Sequence, residues 1–303
     1  MDAEPVQGDA TSMWLANPRM LARRGASFTT VLLVASACAT SLPSGPSASD
    51  VPPTTGEPGA ASAPPSVSAE PSIERFAVDE TGRELAIRCE GSGSPVVVLE
   101  DGHPSETGGI ARFADGPMWP GLTAETRVCA YDRAGYANSD PAPMEPRDAD
   151  DVIADLEALL SAADEEGPFV LVGSSFGGMI VTYYAARHPE DIAAVVLLDV
   201  PAPTDTLTLE EIPELAWDHP SNPEHVDVIP EFETRFAQDP ERIEAPLTVV
   251  TATDGQSDVE DQAFWLEISP DATQVELDGG HDLDFDNPAG VVEQILRVVA
   301  AAR

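Results

Sequence analysis

Residues 169–189 read FVLVGSSFGGMIVTYYAARHP. Four apolar residues run straight into Gly173-Ser174-Ser175-Phe176-Gly177-Gly178, and apolar residues at helical spacing follow at once. A short unbroken apolar run closed by glycine reads as a strand buried on both faces. Written from Gly173 to Gly177, the turn has the pattern G-x-S-x-G, with Ser175 at its tip. The glycines are needed because such a turn strains the backbone and brings neighbouring segments too close for a Cβ. Ligands of open α/β sheets bind beyond the carboxyl ends of the strands, so Ser175 stands where substrate arrives. Ser174 is expected to pack beside the turn.

Working outward, further strands are expected in ERFAVDETGRELAIRCEG (two, around a turn at 79–82), PVVVLED, RVCAYDR, IAAVVLLDV, LTVVTAT and TQVELDG. Between them, residues 148–163 carry Val152, Ile153, Leu156, Leu159 and Leu160 on one helical face, and 288–302 carry Val291, Val292, Ile295, Leu296 and Val299. Pro288 suits a helix start. The central strands are apolar throughout, as expected when helices cover both faces of a parallel sheet, so the fold class is α/β. From about 203 to 244 the pattern breaks into acidic, proline-containing pieces too long for an ordinary loop, expected to form a lid over the carboxyl edge of the sheet.

A serine hydroxyl is a weak nucleophile until a base takes its proton, and on this scaffold the base lies downstream. His281, in VELDGGHDLDFD, follows the last strand, with two glycines that let the loop bend over the sheet edge. The other histidines fit less well: His188 closes a helix, His219 and His225 fall in the lid, and His103 lies in a different loop. Asp282, Asp284, Asp286 and Glu293 imitate a calcium loop. Asn287 stands where that loop needs glycine, and Pro288 follows, so a helix start rich in acids is the better reading and no metal is expected.

On these residues the chain resembles the α/β-hydrolase superfamily, in particular its small-lid bacterial esterase-like members, over nearly all of 83–303. RVCAYDRAGYANSD resembles the family's strand-four segment, usually D-x-x-G-x-G-x-S: Asp132, Gly135, Tyr136 and Ser139 match, while Ala137 replaces the second glycine. VVVLEDGHPS resembles the strand and loop that supply half the oxyanion hole. The resemblance implies a mostly parallel eight-stranded sheet with the lid between strands six and seven, and backbone N–H donors at His103 and Phe176. It also implies an acid partner for His281, either Asp254, after the strand before last, or Asp199, one strand earlier, with Asp258 an outside candidate. Cys89 and Cys129 fall in strands that are neighbours in the family's sheet order, so a disulfide between them is expected in an exported protein. The implied activity is a serine hydrolase acting on esters through an acyl-enzyme without a cofactor. The alternative is a non-catalytic binding module on the same fold.

Composition limits the partners. All 15 basic residues are arginine, set against 54 acids, for a formal charge of −39. Such a surface repels phosphate backbones, which argues against nucleic-acid binding. Residues 1–37 read as a secretory signal, with Arg23 and Arg24, a short apolar run and small residues before Cys38. The run is shorter than the roughly 20 residues a spanning helix needs. The segment resembles a bacterial lipoprotein signal, which implies lipidation of Cys38 and membrane contact through that anchor alone. A secreted soluble protein is the alternative, and Met20 is a candidate start. Residues 38–72 are rich in Ser, Pro and Ala and read as a disordered tether. One globular domain, 73–303, remains. The sequence fixes neither its substrate nor its oligomeric state.

Overall fold

The computed structural model describes residues 72–103 and 108–303. The signal segment, Cys38 and the tether lie outside the described residues, apart from Ser72 at the tether's end. Eight strands form one sheet: β1 (Glu74–Ala77), β2 (Glu84–Glu90), β3 (Val96–Glu100), β4 (Val128–Asp132), β5 (Phe169–Ser174), β6 (Ile192–Leu198), β7 (Leu247–Asp254) and β8 (Ala272–Gly280). Their order is β1-β2-β4-β3-β5-β6-β7-β8. The β1–β2 and β2–β4 pairings are antiparallel and every other pairing is parallel.

Eight α-helices accompany the strands among the described residues: α1 (Gly108–Ala114), α2 (Trp119–Thr123), α3 (Ala149–Ala162), α4 (Phe176–Arg187), α5 (Arg235–Gln238), α6 (Val259–Gln262), α7 (Leu283–Asp286) and α8 (Pro288–Ala301). Strand side chains alternate between two helical layers. Phe169 and Leu171 of β5 join the cluster formed with α3 and α4, whereas Val170 and Val172 join the one formed with α1, α2 and α8. Two helices begin where the sequence places them. Asp148 accepts from Asp151 N–H and Asp151 reciprocates, a capping box for α3. Asn287 accepts from Gly290 N–H at 3.1 Å ahead of Pro288 and caps α8. The short helices α1 and α2 are additions to the sequence reading.

Cys89 and Cys129 lie opposite each other in the β2–β4 pairing and are joined in a disulfide, Cα to Cα 4.1 Å. Between β6 and β7 the chain forms an insert of irregular segments, a 3₁₀ turn at Pro213–Leu215 and a π-helical turn at Ile229–Thr234 that runs into α5. The insert is bound to the sheet's carboxyl edge by aromatic packing. Buried Phe232 meets Phe176 edge-on, centroids 4.9 Å apart, and Phe236 packs on Tyr183 and Trp265. Among the described residues no helix is long and apolar enough to cross a membrane.

Candidate active site

β5 ends on buried Ser174, and the chain turns at Ser175 with φ 52° and ψ −128°. A residue with a Cβ avoids that region, at a cost of about 1–3 kcal/mol, so the surrounding structure must impose it. Two backbone bonds do so: Ser175 N–H donates to Leu198 O at 3.1 Å, and Gly178 N–H donates to Ser175 O at 2.9 Å. Leu198 is the last residue of β6, so the serine is stitched to the strand that delivers Asp199.

Asp199 is fully buried. Its Oδ2 lies 2.7 Å from His281 Nδ1 and accepts Gln256 N–H at 3.1 Å, while Oδ1 accepts Gln262 Nε2 at 2.7 Å and Ala252 N–H at 3.2 Å. Four donors around a carboxylate with no access to water satisfy both of its oxygens and fix its orientation. The turn after β7 comes so close that a Cβ on Gly255 would stand 2.4 Å from Asp199 Oδ1. Asp254, the other acid candidate, is exposed at the end of β7, and Asp258 stands at the N-cap of α6. The loop that carries Asp254 therefore contributes its backbone to the cradle of Asp199, and its carboxylate faces solvent. A hydrogen on Nδ1 facing Asp199 leaves Nε2 as the basic nitrogen of His281.

The loop after β3 closes the site from the other side. A Cβ on Gly102 would lie 2.9 Å from Ser175 Cβ, so this backbone passes directly against the serine. Gly102 N–H is occupied by Asp101 Oδ1 at 2.8 Å, and the following amide along the loop is that of His103. Phe176 N–H opens α4 and needs no acceptor within the helix. Burial, together with the Arg133 cation, holds the His103 imidazole down to about 3, so that ring is neutral at ordinary pH.

Two arginine centres beneath the site escape the sequence reading. Arg112 of α1 donates to Asp284 (Nε to Oδ2 3.0 Å, Nη2 to Oδ1 2.7 Å) and to Asp282 (2.9 Å), with Asp101 Oδ1 at 3.4 Å. It clasps the loop after His281 to the loop that carries Gly102. Of the other two acids of the apparent calcium loop, Asp286 accepts Gly280 N–H at 2.7 Å and Glu293 accepts from Arg297 Nη2 at 2.8 Å. The second centre is Arg133, fully enclosed with Glu100 and Glu224. Burial pushes the Glu100 carboxyl upward, and Arg133 opposes that rise. One signal was present in the sequence: Glu100 ends a wholly apolar strand, and a buried acid needs a buried cation.

The other histidines lie elsewhere. His188 stacks on Tyr184, centroids 4.5 Å apart, and His225 Nδ1 lies 2.9 Å from Trp217 O.

A family model described as "alpha/beta hydrolase fold" matches residues 95–227. Among curated relatives, the uncharacterized protein YqjL of Bacillus subtilis (strain 168) is 34% identical over 125 residues, 41% of this chain and 47% of YqjL. Lipase LipV of Mycobacterium tuberculosis is 35% identical over 100 residues, 32% of this chain and 37% of LipV. The chain thus matches less than half the length of each. Among solved structures, epoxide hydrolase CorEH superposes with a TM-score of 0.62 at 15% identity, covering 77% of this chain and 100% of that one. The chain has the α/β-hydrolase fold, an eight-stranded, mostly parallel sheet flanked by helices.

Proposed function

We propose that the protein is a serine hydrolase acting on carboxylic esters, with Ser175, His281 and Asp199 as its triad. The observation that carries this reading is the 2.7 Å contact between His281 Nδ1 and the buried Asp199 carboxylate, at the sheet edge where Ser175 is held in its strained turn. Ser175 Oγ attacks the carbonyl carbon as His281 Nε2 takes its proton. The N–H groups of His103 and Phe176 receive the oxyanion, and losing one such donor costs about 10²–10³ in rate. Collapse breaks the carbon–oxygen bond to the alcohol, which leaves with the proton from His281. Water then attacks the acyl-serine, gives its proton to His281, and releases the acid and free Ser175. Serine at the elbow and the match to a lipase favour ester chemistry, and the insert between β6 and β7 acts as the lid that shapes the acyl pocket. We further propose export, with Cys38 as lipid anchor.

Fluorophosphonate labelling with turnover of an ester panel graded by acyl length is the test. The full-length protein should label stoichiometrically, and Ser175→Ala should remove both the label and the turnover. A non-catalytic binding module would neither label nor turn over, and that result would retire the enzyme reading.

A further inference from the structure

The Arg133 guanidinium spends four of its five N–H donors on four different places. Nε donates to Glu224 Oε2 at 2.9 Å, Nη1 to Glu100 Oε1 at 2.5 Å and to Asp101 O at 2.7 Å, and Nη2 to Gly102 O at 2.8 Å. Two of these acceptors are consecutive main-chain carbonyls of the loop against Ser175. Its face lies under the Phe176 ring, 5.8 Å from the centroid. Glu224 belongs to the insert between β6 and β7, and Glu100 ends β3.

The geometry of the peptide group gives the carbonyl contacts a consequence. In a trans peptide, C=O and the next N–H point in opposite directions. The only cis bonds among the described residues precede Pro95 and Pro168, so the Gly102–His103 link is trans. Fixing Gly102 O on the guanidinium therefore turns His103 N–H away from Arg133. Fixing Asp101 O as well removes the rotation that would let the next peptide plane flip.

We propose that Arg133 is a positioning residue that sets the oxyanion hole by gripping the Asp101 and Gly102 carbonyls, with Glu224 of the insert holding the guanidinium in place. This rests on the serine-hydrolase reading. A planar fork that spans two carbonyls and two carboxylates has no lysine equivalent, because an ammonium is a point donor. The arrangement also joins the insert to the hole, so a displaced insert is felt at the oxyanion donors.

The test is Arg133→Lys in the full-length protein, with kcat and KM measured separately and with affinity for an arylboronic acid, which forms a tetrahedral adduct on Ser175. The expected result is a loss of about 10–100-fold in kcat and a comparable loss in boronate affinity, with KM within about twofold. If the lysine variant does not fold, Arg133→Gln combined with Glu224→Gln, which withdraws one cation and one anion together, is read in the same way. A folded variant with kcat within about twofold of wild type overturns the proposal. So does a fall in kcat that leaves boronate affinity unchanged, since that is general damage rather than a displaced donor. Wild-type protein that neither labels with fluorophosphonate nor turns over ester removes the hydrolase reading and this proposal with it. An active wild type beside an equally active variant removes this proposal alone.

Discussion

Asp199 and Asp254 both leave a parallel strand at the same sheet edge, and the difference between them lies in what surrounds the carboxylate. Asp199 is enclosed by Ala252, Gln256, Gln262 and His281, while Asp254 meets water. Asp199→Asn puts an amide into this cradle of donors and presents a hydrogen where His281 Nδ1–H needs an acceptor, so the imidazole is held in the wrong tautomer. We expect kcat for ester turnover to fall by about 10³–10⁴, and Asp254→Asn to stay within about twofold of wild type. Equal losses in the two variants would mean that the buried contact does not orient the base. The candidates Ser175 and His281 stand out in the sequence because glycines punctuate the chain around each. The candidate acid does not stand out, because Asp closes or follows several strands, and burial separates Asp199 from Asp254 only once β7 pairs with β6. Arg133 was less legible still, since its partners come from β3, the loop after it and the insert, and no sequence period links them.

Elements were read best where burial is uniform. The apolar runs of β3, β5 and β6 announce strands covered on both faces, and α3 and α8 show both an apolar stripe and a cap. The stretch that holds α1 and α2 hid its helices because glycine and proline interrupt the period at Gly116, Pro117, Pro120 and Gly121. The broken pattern of 203–244 marks an insert, but nothing in that pattern shows the packing of Phe232 and Phe236 on α4. One contact within the insert titrates. Glu233, in the π-helical turn, accepts Thr204 N–H at 3.2 Å, and burial pushes its carboxyl up to about 7. A carboxyl raised in the folded state binds more protons than in the unfolded chain between its ordinary value and about 7. Its contribution is therefore complete at low pH and is lost as pH rises through that window. Glu233→Gln keeps an acceptor for Thr204 and does not titrate. The variant's Tm should be close to wild type near pH 4.5 and should exceed it increasingly towards pH 8. A constant difference across that range would show that Glu233 ionises freely.

At the scale of the molecule, arginine is the only cation, and nearly every described arginine is already in an ion pair. The acids outnumber the arginines 54 to 15, and the chain carries a formal charge of −39. Two salt effects compete. Screening weakens the exposed pairs, each worth about 0–1 kcal/mol, and it weakens the repulsion summed over the whole surface. The pairs of Arg133 with Glu100 and Glu224 are buried, and that of Arg112 with Asp284 nearly so, and these are screened much less. The surplus of acids over cations makes repulsion the larger quantity, so sodium chloride should stabilise the fold. Between about 0.01 and 1 M salt the Debye length shrinks from about 30 to about 3 Å. Over that range Tm should rise by at least about 3 °C, with most of the rise complete by about 0.15 M, where the length is already about 8 Å. Scanning calorimetry at fixed pH 7.5 provides the measurement, and sodium and potassium chloride should act alike because screening depends on ionic strength. A flat or falling Tm would mean that the exposed arginine pairs hold more of the stability than the acid surplus removes.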